Sequence, residues 1–324
     1  MNKLFQIWFE RPLPPPYAPL LNGVAEAIGA TTQAHQKPQA ALGQAQAIIA
    51  GGRLAYNAAL MDQAPRLRVI SRTGIGLDNV DLAAATVRGI AVCNAPDAPT
   101  ISTAEHTVAL IMAVAKQLKW CDQSLQQGGQ ADYFNRYNGL ELQEAILGLV
   151  GLGRIGGHVA KLGQGLGMTV LAFDPWIAPE RAASLNVTLV PTLAALLGQA
   201  DVVSLHVPLT PDTNHLINAE RLGQMKPGAI LINAARGGLV HEPALLDALE
   251  RGQLRGAGLD VFSTEPPPPD HPLVGRNDVI VTPHIAAASN AGKDRLWRTA
   301  ISQALQLLQG QRPPYLVNPE VLGN

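Results

Sequence analysis

The chain has 324 residues, 47% hydrophobic and 15% charged, which is enough for two domains with packed cores and excludes a disordered chain. With 24 Lys and Arg against 25 Asp and Glu the net charge is -1, and no basic stripe is visible, which argues against nucleic acid or an anionic membrane as a partner. Two cysteines, Cys93 and Cys121, show no pairing pattern and fit a reducing compartment.

In chain order, short apolar runs alternate with helical patterns. The opening MNKLFQIWFERP is interrupted at Glu10, too short for a secretory leader, and reads as a first strand, Leu4–Phe9. Ala47–Ala50, Leu67–Ser71 and Ile90–Cys93 are the next predicted strands. After the proline-containing segment Asn94–Pro99 a long helix begins near Thr103; its apolar run Thr107–Leu118 is far too short to span a membrane. Strands then recur at Ile146–Val150, Met168–Phe173, Val202–Val207, Ala229–Asn233, Gly256–Asp260 and Val279–Val281. Unbroken strand hydrophobicity in this alternation predicts an α/β fold, with doubly wound parallel sheets covered by helices on both faces. PPPPD, 266–270, reads as a stiff surface loop. A second proline segment, Thr282-Pro283-His284, precedes the helix Ala291–Leu308, which is expected to return to the first sheet. The predicted boundaries are therefore a first domain of 1–98 and 286–324, interrupted by a second of 99–285.

GLVGLGRIGG, 148–157, carries Gly151-Leu152-Gly153-Arg154-Ile155-Gly156 between an apolar strand and a helical pattern. In that context Gly151 permits the tight turn, Gly153 lets backbone approach a pyrophosphate, and Gly156 lets helix and strand pack closely. The helix start at Arg154 and Ile155 supplies N–H donors to phosphate. The next strand ends at Asp174, 21 residues beyond Gly153, where a carboxylate can accept both ribose hydroxyls and repels a 2′-phosphate. No Arg stands immediately beside it, so the second domain reads as a Rossmann domain for NAD rather than NADP. A lone GxGxxG is weak evidence, and Asp174 alone could be a helix cap; strand, loop and acid together make the reading specific.

Three charged residues follow strands on the edge where ligands bind in open parallel sheets: Arg236 after AILIN, Glu265 after the LDVFSTE stretch, and His284 after VIVTP. Singly each has a bland alternative, as a surface arginine, a loop acid and a hinge imidazole. Together on one edge they suggest a site. A forked guanidinium can hold a carboxylate, an imidazole can move a proton at a carbonyl oxygen, and a carboxylate can orient the imidazole.

SRTGIGLDNVDL (71–82), GLVGLGRIGG, SLHVPLTPDTNHLIN (204–218), INAARGGLV (232–240), GAGLDVFSTEP (256–266) and TPHIAA (282–287) resemble the D-isomer-specific 2-hydroxyacid dehydrogenases over nearly the whole chain. The resemblance implies that the Rossmann NAD-binding domain is inserted in a flavodoxin-like substrate domain, and that Arg236, Glu265 and His284 are the catalytic set. It implies further that Val207, Ala234, Ala286 and Ala287 line the cofactor groove and that Asp260 holds the nicotinamide amide. By the same resemblance, Gly74, Ile75 and Gly76 bind the substrate carboxylate and Arg72 lies near substrate. A cytoplasmic homodimer acting on a small 2-hydroxy or 2-oxo acid is expected, with the helix near Thr103–Leu118 and an arm at 119–138 packing across a two-fold axis; no metal is expected.

The chain departs from the pattern in places. Glu144-Ala145 stands where the family usually has Gly-Lys, which predicts a changed surface turn. His241 replaces a usual Asp, which predicts a weakened helix N-cap. The phosphoglycerate dehydrogenase branch is the nearest, but this chain has Gly51-Gly52-Arg53 where its enzymes usually have an arginine earlier. Reduction of glyoxylate or hydroxypyruvate is the close alternative. A body of this fold serving as an NAD(H)-sensing co-repressor is the alternative from another class.

Overall fold

The computed structural model describes residues 4–29, 41–52, 54–128 and 132–323. Arg53, flagged in the sequence, lies outside the described residues, as do 129–131 of the expected arm. The chain divides into two compact units, Met1–Pro99 with Asn290–Asn324, and Thr100–Ser289.

The first unit carries a five-stranded sheet of β1 (Phe5–Phe9), β2 (Ala25–Gly29), β3 (Ala47–Ala50), β4 (Val69–Arg72) and β5 (Ala91–Cys93), all pairs parallel, in the order β2-β1-β3-β4-β5. This is the flavodoxin-like order. β3, β4 and β5 are buried along their whole length, which is why they read as continuous apolar runs. The helix Asn290–Leu308 places Ala300, Ile301, Ala304, Leu307 and Leu308 in a core with Ile7, Phe9, Ile49 and Val69. The tail returns along β5, where the Asn318 side chain accepts from Val92 N at 2.7 Å.

The second unit carries seven parallel strands: β6 (Ile146–Val150), β7 (Thr169–Phe173), β8 (Thr188–Leu189), β9 (Val202–Leu205), β10 (Ala229–Asn233), β11 (Leu254–Leu259) and β12 (Val279–Val281). Their order is β12-β11-β10-β9-β6-β7-β8, so the winding reverses between β6 and β9. That is the Rossmann arrangement, and the reversal is its ligand-binding switch point. The helix Thr100–Ala115 lies close on β11 because Gly256 and Gly258 leave room for it. A Cβ at those glycines would come within 2.9 Å of Val114 and 3.0 Å of Leu110.

Several expectations are corrected here. β2 and β8, at sheet edges, were not predicted. The long helix ends at Ala115 and restarts at Leu118, because Gln117 takes a left-handed conformation (φ 48°). The second unit continues to Ser289 rather than to 285: the Asp260 carboxylate accepts from Ile285 N and Ala286 N, and Ser289 Oγ lies 2.7 Å from Ser102 Oγ. The helix Glu242–Glu250 keeps a side-chain cap despite losing an Asp, since His241 Nδ1 accepts from Ala244 N at 3.2 Å. In the surface turn before β6, Glu144 itself adopts φ 65°.

Candidate active site

Behind the phosphate loop the glycine requirements are explicit. Gly151 sits at φ 94°, a region that L side chains rarely adopt, and a Cβ there would come within 2.7 Å of His206 O. A Cβ at Gly156 would lie 2.3 Å from Gly151 O, whereas one at Gly153 would meet nothing within 4 Å. The loop is thus tight on its inner side and open at Gly153, where the helix Arg154–Gly165 presents its first N–H groups. That is a fitting cradle for a pyrophosphate. Val207, partly buried after β9, has its side chain against Gly151, and Ala234 is partly buried just after β10. Shielding from water pushes the His206 imidazole down to about 4, so it is neutral beside the loop; its Nε2 lies 3.0 Å from Ser204 Oγ.

Asp174 is not a helix cap. Its carboxylate accepts from Leu152 N in the phosphate loop at 2.8 Å and from Trp176 N at 3.0 Å. Each oxygen keeps a lone pair for a ribose hydroxyl.

The three charged residues all lie in the second unit, after β10, β11 and β12. His284 Nδ1 is 2.7 Å from Glu265 Oε2, with side chains 50% and 36% exposed. A carboxylate can only accept, so Nδ1 carries the proton and Nε2 is the nitrogen left for substrate. Burial works to raise the Glu265 carboxyl. The hydrogen bond and charge of His284, the Phe262 N–H and the charge of Arg236 outweigh it and hold Glu265 below the usual carboxylate range. The loop bearing Glu265 is tied at two points: Phe262 N donates to Glu265 Oε1 (3.1 Å) and Ser263 N to Glu242 Oε1 (2.7 Å).

Arg236 leaves β10 through a turn shaped by Asn233, which is 1% exposed and whose side chain donates to Arg236 O at 2.8 Å and accepts from Ala235 N at 3.1 Å. Gly237 then packs flat against the Phe262–Ser263 backbone, bringing the arginine's loop against the glutamate's. Asn233 and Glu242 were missed in the sequence. An Asn closing an otherwise apolar strand is the one signal that could have found the first.

Asp260, expected at the nicotinamide amide, anchors its own chain with its carboxylate. It accepts from Thr282 Oγ1 (2.6 Å), Ile285 N (2.9 Å) and Ala286 N (2.9 Å). Ala286 is buried and Ala287 partly so. In the first unit, Arg72 closes β4 with its guanidinium donating to Gly76 O at 2.9 Å and Ala50 O at 3.4 Å. It thereby shapes the loop of Gly74, Ile75 and Gly76, all partly buried. At the same strand ends the Glu10 carboxylate accepts from Gly51 N (2.5 Å) and Tyr56 Oη (2.6 Å). Burial first, and then Glu10, push the Tyr56 hydroxyl far above its ordinary range.

Among the described residues no group of three or more His, Cys, Asp or Glu is placed to hold a metal ion, and no helix is long and apolar enough to cross a membrane.

Residues 108–286 match the family described as D-isomer specific 2-hydroxyacid dehydrogenase, NAD binding domain. A D-3-phosphoglycerate dehydrogenase of Mycobacterium leprae is 43% identical over 86% of this chain and 52% of its own length. A glyoxylate reductase of Thermofilum pendens is 42% identical over 82% of this chain and 79% of its own. The chain spans about half the length of the phosphoglycerate dehydrogenases it matches. Among solved structures, a D-lactate dehydrogenase from Aquifex aeolicus complexed with NAD and lactic acid superposes with a TM-score of 0.84 at 30% identity, covering 97% of this chain and 99% of the other.

Proposed function

The chain belongs to the D-isomer specific 2-hydroxyacid dehydrogenase family, and we propose that it interconverts a small 2-hydroxy acid and its 2-oxo acid with NAD(H). The observation that carries this reading is the 2.7 Å Glu265–His284 pair, with the Arg236 charge acting on the same carboxylate.

The cofactor fits the open cradle at Gly153 with Gly151, Arg154, Ile155 and Gly156, its ribose at Asp174 and its groove lined by Val207, Ala234, Ala286 and Ala287. When bound it supplies or takes up the hydride. The chain's own residues do the rest. Arg236 forks onto the carboxylate end of the substrate. His284 Nε2 gives a proton to the carbonyl oxygen in reduction and takes one from the hydroxyl in oxidation. Glu265 fixes the ring and favours its charged form. Arg72 and the Gly74–Gly76 loop are read as substrate contacts and Asp260 as reaching the nicotinamide amide, both on family resemblance.

3-Phosphoglycerate remains one candidate substrate. The Glu10 carboxylate hydrogen-bonded to Gly51 favours the second, an unphosphorylated acid such as glyoxylate or hydroxypyruvate. Phosphoglycerate enzymes usually carry an arginine at that strand end, and a carboxylate there opposes a phosphate. The test is NADH oxidation by the purified chain with a panel of 2-oxo acids that includes glyoxylate, hydroxypyruvate and phosphohydroxypyruvate. No turnover with any of them would favour a nucleotide-sensing binding protein instead.

We read the protein as a cytoplasmic homodimer. Leu118, Leu125 and Phe134, on the helix-and-arm segment of the second unit, are 53%, 68% and 92% exposed, which suits a second copy as cover. A monomer mass by light scattering at micromolar concentration would overturn the dimer.

A further inference from the structure

The backbone of His284 lies in the left-handed region, at φ 54°. A non-glycine residue stays there only where its surroundings over-determine it. Here one residue supplies most of that constraint. His284 N donates to Asp260 O at 2.7 Å. The Asp260 side chain, in a residue only 1% exposed, then takes hydrogen bonds from both sides of the histidine: Thr282 Oγ1 before it, Ile285 N and Ala286 N after it.

The chain of donors does not stop at Asp260. Thr282 has a single hydroxyl proton, and the 2.6 Å contact to an acceptor-only carboxylate commits it to Asp260. Thr282 Oγ1 also lies 2.9 Å from His106 Nε2, so there it must accept, and His106 must carry its proton on Nε2. The same nitrogen is 3.6 Å from Asp260 Oδ1. His106 is therefore the donor that heads the sequence His106 to Thr282 to Asp260.

Its place on the helix Thr100–Ala115 makes that donor rigid. His106, Leu110 and Val114 are spaced four apart and share one helix face. Leu110 and Val114 are the side chains seated over Gly258 and Gly256 of β11, the strand that leads directly into Asp260. A helix held this close to β11 cannot shift without moving the imidazole.

We propose that His106 is a positioning residue for His284, acting through Thr282 and Asp260, a role that rests on the dehydrogenase reading of the site. Its Nε2–H holds the Thr282 hydroxyl aimed at Asp260. The carboxylate thereby keeps the 282–286 backbone in the conformation that points His284 at Glu265. Without His106, Thr282 Oγ1 loses the donor it accepts from, its hydroxyl is no longer held on Asp260, and the constraint on the His284 backbone slackens.

The test is a double-mutant cycle with a conservative rescue. His106→Leu and Thr282→Val should each lower kcat on the best 2-oxo acid by roughly tenfold or more, with KM for NADH changed by about twofold at most. The double variant should fall no further than the worse single one, because both remove the same connection. His106→Gln should recover most of the loss, since its amide can donate in place of the imidazole. Amide hydrogen exchange at Ile285 and Ala286, which does not depend on turnover, should speed up by about tenfold or more in both single variants and return toward the unmodified rate in His106→Gln. Additive losses, a failed rescue by Gln, or unchanged exchange at those two amides would overturn the role of His106. If the unmodified chain reduces none of the acids, the dehydrogenase reading fails, and the exchange measurement still decides whether His106 holds the His284 loop. Thr282→Val keeps the side-chain shape, so the exchange result remains decisive even if His106→Leu does not fold.

Discussion

Gly237 lies so close to Phe262 that a Cβ on the glycine would stand 1.9 Å from the Phe262 carbonyl carbon. Two loops from neighbouring strands meet there with backbone against backbone, one carrying Arg236 and the other Glu265. Gly237→Ala should force them apart. Such overpacking costs about 1–3 kcal/mol or more. The expected result is a lower melting temperature together with a loss of roughly tenfold or more in kcat/KM. A variant with unchanged kinetics would show that the spacing of the loops does not matter to the site.

Arg236 should not tolerate a point charge in its place. Lysine keeps the charge but loses the planar fork, so Arg236→Lys should reduce kcat/KM on the order of a hundredfold or more. Equal values for the two proteins would remove Arg236 from the site.

Cofactor preference should follow Asp174. The unmodified chain should prefer NADH to NADPH, and Asp174→Ala should narrow the gap by removing the charge that opposes a 2′-phosphate. Because the carboxylate also accepts from Leu152 N and Trp176 N, the variant should bind NADH more weakly as well. The check is kcat/KM for both cofactors in both proteins.

The lowered carboxyl of Glu265 has a definite sign in stability. A group whose folded pKa lies below its unfolded value stabilises above the unfolded value and loses that contribution as pH falls through the folded one. The unmodified protein should therefore lose melting temperature more steeply than Glu265→Gln as pH drops below about 4.5. Partial exposure of the pair keeps the effect small. Parallel melting curves across that range would mean that the carboxylate is not held by its partners.

The two cysteines should differ in reactivity. Cys93 is fully buried in β5, and burial pushes its thiol up to about 12, while Cys121 is partly exposed. Alkylation of the native protein at neutral pH should spare Cys93 and mark Cys121 once dilution separates the proposed dimer, with both modified after unfolding. Mass spectrometry of the labelled peptides reads this directly.

Much of the architecture was determined by local sequence. Strands buried on both faces must be apolar throughout, so β3, β4, β6, β9 and β10 announced themselves; β2 and β8 are largely exposed or only partly buried, so no such demand applies to them. The phosphate loop was legible because a turn at φ 94°, and a helix packed so close that a Cβ at Gly156 would lie 2.3 Å from Gly151 O, leave glycine as the residue that fits. Asp174, Arg236, Glu265 and His284 could be picked out because strand ends are where an open parallel sheet binds ligands. Tertiary structure alone decided what those groups touch. Glu265 and His284 lie on loops after different strands, and their 2.7 Å contact depends on how those loops fold back. Asp260 reads in sequence like any acid ending a strand, yet it takes hydrogen bonds from residues 22, 25 and 26 positions away. His241 caps a helix although its residue type argues against it, because the ring nitrogen happens to reach Ala244 N. Periodicity and turn chemistry act over a few residues and are written locally; hydrogen-bond partners across tens of residues exist only once the sheet has set the distances.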